Sequence, residues 1–404
     1  MKKRIVMLSA ALALTVGMTA FAQETEGVTE APAQETEGTA GVSAQEAGQA
    51  ASALSDDWKD YQIEIDGQVY QFPMTMEAFL ACGWECEDDL AQELEPYQYG
   101  NFVFVQDDMK IYAELINFGK NTVAAQDCLV GGLTVDSYYW ADCTKHVELA
   151  GGIERLVSDG AAIEAAWGTP SDTYEGELYT SYTYETDLYS SIELSVYKES
   201  GVLEEIDISN LVEPEGFDAG EVSTEVPEAV AAYQKPEALS EDPTAYEISL
   251  DGTVYAMPVP VSVLIADGWE LDTAESDAEI SAGYFGWVTL RRGGQEIRTT
   301  ASNPEKCAVL PENSWVESLE VGGYELEAEG ALPGGVKTGM SEADFLALLE
   351  ANSLTWEVSE SGDYAYYSYN APEYGKGFEV LVYHGEDDFT PDSVVRVTCS
   401  NSVD

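Results

Sequence analysis

Apolar and polar side chains alternate along residues 61–71. Tyr61, Ile63 and Ile65 fall on one side, Gln62 and Glu64 on the other, and Val69-Tyr70 follows after Asp66-Gly67. A period of two predicts a strand with one wet face, and Asp-Gly between two such runs predicts a tight hairpin. The pattern returns around Asp251-Gly252, and it returns residue for residue. At a constant offset of 185, Tyr61/Tyr246, Ile63/Ile248, Asp66/Asp251, Gly67/Gly252, Val69/Val254, Tyr70/Tyr255, Pro73/Pro258, Gly83/Gly268, Trp84/Trp269 and Glu85/Glu270 coincide. The chain is a tandem repeat, so most shared residues are expected to be scaffold.

Each unit reads as α+β, with antiparallel hairpins and two short helices. The first helix spans Met76–Cys82 and its counterpart Val261–Asp267. Gly83 and Gly268 stand where a left-handed C-cap is favoured. Gly-Trp-Glu then opens a strand. A second hairpin follows over Phe102–Val105 and Lys110–Ile116, turning at Asp107-Asp108. Its counterpart covers Trp287–Leu290 and Glu296–Thr300, turning at Gly293-Gly294. Asn117 and Asn303 come next at matching places. Each unit closes with a Gly-Gly pair, a helix with a Ser N-cap (Ser158 or Ser341) and three strands. The helices are Asp159–Trp167 and Glu342–Ala351. The strands are Leu178–Tyr184, Ile192–Tyr197 and Glu204–Ile208 in one unit, and Tyr364–Tyr369, Phe378–Tyr383 and Ser393–Thr398 in the other.

The domain boundaries expected are a signal peptide over 1–22, an acidic spacer over 23–57, repeat 1 over 58–212, an acidic Pro-rich linker over 213–242 and repeat 2 over 243–404. Lys2, Lys3 and Arg4, the apolar stretch Ile5–Thr19 and Ala20-Phe21-Ala22 form the three parts of a secretory signal. In the spacer, AQETEG occurs twice, and Gly, Ala, Glu, Gln and Thr bury too little apolar area to offset ordering entropy. One helical turn is expected in the linker around Glu228–Ala232. The reading is an exported protein, secreted or held non-covalently at the cell envelope, with no membrane span.

The closing third of repeat 1 carries Gly152-Ile153, Ser158, Ile163, Trp167-Gly168-Thr169-Pro170, Tyr182-Thr-Tyr184 and Ile192-Glu-Leu194-Ser-Val196-Tyr197. This pattern resembles the small α+β unit of outer-membrane assembly lipoproteins of the SmpA/OmlA type and of secreted β-lactamase inhibitor proteins. Repeat 2 lacks the W-G-x-P and reads Glu350-Ala-Asn-Ser353 instead. The tandem arrangement as a whole resembles exported proteins of Gram-positive anaerobes. The resemblance implies a binding or inhibitory scaffold rather than an active site.

Seventeen basic against 76 acidic residues give a net charge of −59. The acids are spread over both repeats as well as the spacer and linker. Such a surface disfavours nucleic acid and favours cations and basic partners. Glu87-Asp88-Asp89, Asp107-Asp108 and Glu386-Asp387-Asp388 with Asp392 are local acid clusters, suited at most to weak calcium binding because no EF-hand spacing is present. Six cysteines in an exported chain make disulfides the expectation. Cys307 and Cys399 would pair within repeat 2. Cys82, Cys86, Cys128 and Cys143 allow three connectivities in repeat 1.

Candidate chemistry is sparse. Only His146 and His384 occur, and there is no G-x-S-x-G motif, cofactor motif or metal-ligand spacing. Cys143-Thr-Lys-His146 is read as a bridged cysteine beside an exposed histidine, and His384 as a turn residue. Glu85 and Glu270, retained after Trp in both repeats, are the most pointed carboxylates. Strand alternation places them as polar positions flanking a core Trp. Tyr182 and Tyr184, like Tyr367 and Tyr369, share one strand face and read as packing. Tyr179, Tyr364 and Tyr366 remain as candidate ligand contacts. The expected function is a non-enzymatic tandem binding protein with a protein or glycan ligand. The alternatives are a carboxylate-dependent glycan hydrolase using Glu85 or Glu270, and a secreted enzyme inhibitor.

Overall fold

The computed structural model describes residues 53–136, 143, 145–242, 244–324, 326–351 and 354–403. The signal segment 1–22 and most of the spacer lie outside them. Within 53–57, Asp57 caps the turn Trp58–Asp60.

The fold is mostly antiparallel sheet with few helices. In the first half nine strands form one sheet. Along it run Asp172–Glu175, Tyr179–Asp187, Ser190–Tyr197, Leu203–Asn210, Leu129–Val135, Met109–Ile116, Tyr99–Gln106 and Glu85–Cys86, with Met74–Thr75 paired to Leu129–Val135 off this path. In the second half the counterpart is two five-stranded sheets. One runs Val259–Pro260, Trp315–Val316, Gln295–Ser302, Phe285–Arg292, Glu270–Leu271. The other runs Ser318–Gly322, Ser393–Ser400, Gly377–Tyr383, Tyr364–Asn370, Glu357–Ser361.

Met74 pairs with Val130 and Val259 with Val316, so Gly131 and Glu317 occupy equivalent places. Gly131-Gly132 passes where there is no room for a side chain: a Cβ on Gly132 would stand 2.2 Å from the Ile208 carbonyl oxygen. The strand runs through, with a register shift at Gly131, and joins both parts of the sheet. At Glu317 the strand is interrupted, and the Glu317 Oε1 accepts from Ser302 Oγ and Val403 N–H.

The duplicated hairpins form as the alternation predicts, over Gln62–Ile65/Gln68–Gln71 and Glu247–Leu250/Thr253–Ala256. Asp66 and Asp251 adopt positive φ at the turns, and Phe72-Pro73 and Met257-Pro258 are both cis. Each short helix, Met76–Ala81 and Val261–Ala266, ends before a glycine at positive φ and lays Phe79 or Leu264 into the core. There Trp84 and Trp269 are buried, Phe79 stacking on Trp84 at 5.7 Å between ring centroids. Helix Glu342–Ala351 is capped by Ser341, whose Oγ accepts from Asp344 N–H. The cap expected at Ser158 is displaced by one residue. Asp159 accepts from Ala162 N–H and starts the helix Gly160–Trp167, while Ser158 is buried and accepts from Glu154 N–H. The linker contains the helix Glu228–Ala232. No helix among the described residues is long and apolar enough to cross a membrane.

The two halves meet through a reciprocal contact. Past residue 86 the repeat offset becomes 186, because one residue is gained before the second hairpin: Tyr99–Gln106 matches Phe285–Arg292 and Asn117 matches Asn303. At that offset Lys120 corresponds to Lys306 and Glu93 to Glu279. Lys120 pairs with Glu279 at 2.6 Å, and Lys306 pairs with Glu93 at 2.6 Å. Residue i of one half meets residue j of the other and the reverse, which is the signature of an isologous, two-fold interface. Backbone bonds reinforce it, Ala282 N–H to Lys120 O and Thr122 N–H to Lys306 O, both 2.9 Å. The match is incomplete because Pro96, the counterpart of Ala282, has no N–H to give. Its carbonyl instead accepts from Tyr284 Oη at 2.8 Å. The linker is bonded into the same junction, Lys120 N–H to Ala219 O and Ser223 N–H to Ala308 O.

None of the six cysteines is paired with another in the structure. Each has a local environment of its own. Cys82 and Cys128 turn their Sγ toward the carbonyls of Ala78 and Ala124, one helical turn back. Cys399 is packed inside the second core, where burial drives its pKa up, while Cys307 lies at the junction loop. Cys86 sits on a sheet edge and Cys143 against the first core.

Candidate functional site

Sheet alternation gives each half an outer face turned away from the main core, and the two faces differ in chemistry. In the second half, Tyr364 and Tyr366 project from one strand, Leu381 and Tyr383 from the next, and Val395 and Arg396 from the third. Tyr364, Tyr366, Leu381, Tyr383 and Val395 form a small apolar cluster separate from the main core. Two more rings come from outside the strands. Tyr324 follows Gly322-Gly323, both at positive φ. A Cβ at Gly322 would lie 2.3 Å from the Val395 carbonyl oxygen, so only glycine lets the chain turn this close to the sheet. Phe389 comes from the loop between the last two strands. Its ring centroid lies 4.7 Å from that of Tyr324 and 5.6 Å from that of Tyr383.

Together these side chains wall a cleft of about 260 Å³ lined by Tyr324, Tyr364, Tyr366, Phe389, Leu381 and Arg396, among others. Tyr324 remains 65 % exposed. Its hydroxyl lies 3.3 Å from that of Tyr364, and hydrogen bonding to Asp388 and Tyr364 holds its pKa above the ordinary tyrosine range. Arg396 is held between Glu320 at 3.0 Å and Glu379 at 2.7 Å, which presents a charged, hydrogen-bonding edge beside the rings. The volume falls just under the roughly 300 Å³ where drug-sized pockets begin, so the cleft suits one ring of a larger ligand.

The matching face of the first half is acidic. Glu193, Asp207 and Thr134 follow one another across three strands, with Glu114 and Glu205 nearby. Thr134 Oγ1 donates to Asp207 at 2.9 Å, and Ser209 Oγ to Glu114 at 2.6 Å. Burial, and then the charge of Glu114, push Asp207 up to about 7. Burial raises Glu114 as well. Glu205 is raised by burial and by Asp136. In the second half Arg396 stands where this half has Glu205, each lying opposite Leu381 or Ser195 in the ladder.

Of the residues singled out by sequence, Tyr364 and Tyr366 are brought together in the cleft, and Tyr324 and Phe389 were not anticipated. Tyr179 lies on the first half's outer face, against Tyr174 and Tyr197, with centroids 6.3 and 5.6 Å away. Tyr184 and Tyr367 are buried as packing residues. Glu85 and Glu270 are exposed on two-residue strands, one in each half, opposite Val105 and Arg291. His146 and His384 each contact a glutamate, Glu154 at 3.5 Å and Glu342 at 3.2 Å. Comparison with protein-family models, curated proteins and solved structures finds no match for this chain.

Proposed function

We propose that the protein is an exported, non-enzymatic tandem binding protein of the cell envelope or extracellular space, built of two homologous α+β domains. Its ligand is a glycan or protein that offers a ring to the cleft of the second repeat. The observation that carries this is the convergence of Tyr324, Tyr364, Tyr366 and Phe389 on one concave surface beside Arg396. Aromatic faces stack on the apolar face of a sugar ring while a charged fork takes its hydroxyls. The likeness of the closing third of repeat 1 to assembly-lipoprotein and inhibitor units is kept as part of this proposal.

The test is co-sedimentation of the full mature chain with insoluble cell-wall material and with mucin, at low and high salt. Tyr364→Ala combined with Tyr366→Ala is expected to weaken pelleting at least tenfold while leaving the unfolding midpoint little changed, because both side chains are partly exposed. Equal pelleting by the double variant removes the cleft as the site.

A second reading, carboxylate-dependent glycan hydrolysis, rests on one observation. Asp207, at about 7, keeps its proton close to neutral pH beside Glu114, which is the property of a general acid. This reading moves the chemistry from Glu85 and Glu270 to the first half's outer face. Release of reducing ends from a glycan that disappears in Glu114→Gln would favour it.

A further inference from the structure

The loop between the last two strands of the chain starts at His384 and ends at Asp392, and its two ends meet at a third element. Glu342 opens the helix Glu342–Ala351, and its backbone N–H donates to the Asp392 carbonyl at 2.8 Å. One ring nitrogen of His384 and one carboxylate oxygen each from Glu342 and Asp392 all lie within 4.8 Å of one another. The donors have separate supports. Tyr367 Oη donates to Glu342 Oε1 at 2.7 Å and leaves Oε2 facing His384 Nε2 at 3.2 Å. His384 N–H donates to the Asp363 carbonyl at 2.7 Å, which fixes the end of its strand. Asp392 is held at φ 52°.

We propose that Glu342, His384 and Asp392 bind a divalent transition-metal ion, with zinc as the best fit. One imidazole nitrogen and two carboxylates are a donor set for zinc rather than for calcium, which takes oxygen alone. Ligand bonds of about 2.0–2.2 Å in a tetrahedron set donors about 3.3–3.6 Å apart. The His384–Glu342 separation of 3.2 Å is already close to that edge. Asp392, exposed at the loop end, closes from within 4.8 Å, and water takes the fourth position. The Tyr367 hydroxyl is the outer partner that orients a ligating carboxylate. The three ligands come from a strand end, a helix start and the residue before the last strand, so the ion fastens both ends of the loop at its base. That loop carries Phe389, a wall of the cleft, and Asp388, which bonds Tyr324. The site stands on its own ligands and does not depend on what the cleft binds.

The second histidine provides an internal comparison. Glu64, His146 and Glu148 also bring three donors within 4.8 Å. There the two glutamates already stand opposite one another in the ladder between Gln62–Ile65 and Val147–Leu149, so joining them closes no loop.

The test is titration of zinc into the full mature chain with millimolar magnesium present, so that the many oxygen-only acid clusters are occupied. Competition with a chromogenic chelator reads the affinity, and hydrogen exchange reads residues 385–391. The expected result is one tight equivalent, slowed exchange in that loop, and at least a tenfold loss of affinity in both His384→Ala and Glu342→Gln, with His146→Ala unchanged. Absence of saturable binding overturns the proposal. So does binding that survives both His384→Ala and Glu342→Gln, or that is lost in His146→Ala.

Discussion

Asn117→Ala is expected to lower the stability of the chain by about 3–5 kcal/mol, read as a shift of the urea midpoint followed by tryptophan fluorescence. Asn117 is buried, and its carboxamide replaces a stretch of ladder. Nδ2 donates to the carbonyls of Leu94 at 3.0 Å and Asn121 at 2.8 Å, while Oδ1 accepts from Gly119 N–H at 2.8 Å. Alanine leaves these three backbone groups without that partner in a place closed to water, at about 1–3 kcal/mol each. Against a total of roughly 5–15 kcal/mol, this is a large fraction. Asn303→Ala is expected to match it, because Asn303 holds the carbonyls of Ile280, Ser281 and Cys307 and the N–H of Glu305 in the same manner. Aspartate is no substitute at either place, since it turns a donor into a negative charge facing carbonyl oxygens. A midpoint shift worth less than about 1 kcal/mol in Asn117→Ala contradicts this account.

Asp207→Asn is expected to act in the opposite direction, stabilising the protein at pH 8 by about 2–3 kcal/mol and progressively less as the pH falls. In the folded chain Asp207 releases its proton at about 7, against about 3.9 in an unfolded chain. Between these values the folded state holds a proton that the unfolded state has lost, so the wild type loses stability as pH rises through that window. The full separation corresponds to about 4 kcal/mol at 1.36 kcal/mol per pH unit, and partial exposure of the residue reduces it. Below about pH 4 both states are protonated and the substitution has no electrostatic effect left to exert. Asparagine keeps an acceptor for Thr134 Oγ1, so the bond seen at 2.9 Å survives. Urea unfolding of both proteins at pH 4, 6 and 8 measures the slope, and equal stabilisation at all three values contradicts it.

The hairpins and short helices were legible because period-two alternation, Asp-Gly turns and glycine C-caps are local signals. So was the assignment of Tyr184 and Tyr367 to packing and Tyr364 and Tyr366 to the other face, since alternation alone decides it. The strand Leu129–Val135 was not legible. Gly131-Gly132 gives alternation no side chain to show, and the room is taken by the Ile208 carbonyl at Gly132 and the Leu211 side chain at Gly131. The Ser158 cap was misplaced because Ser158 and Asp159 are both good caps, and burial of the serine settled the choice. Half of the cleft was hidden for a different reason. Tyr324 and Phe389 lie on a turn and a loop, where periodicity carries no information, although the Gly322-Gly323 pair and an isolated Phe in an acidic loop were visible signals. The junction could have been found: Glu93, Lys120, Glu279 and Lys306 become two matched pairs once the offset is extended past the gained residue.

Those matched pairs bear on how the two faces came to differ. When identical subunits associate through a two-fold contact, every substitution appears in both copies, so an acidic face cannot be exchanged for an aromatic one on one side alone. Joining the two copies in a single chain lifts that restriction. Each half is then free to vary on its own, within the junction too, where Pro96 in one half corresponds to Ala282 in the other, while the ion pairs Lys120–Glu279 and Lys306–Glu93 each hold two residues together. Arg396 opposite Leu381 and Glu205 opposite Ser195 are that freedom written at one equivalent position.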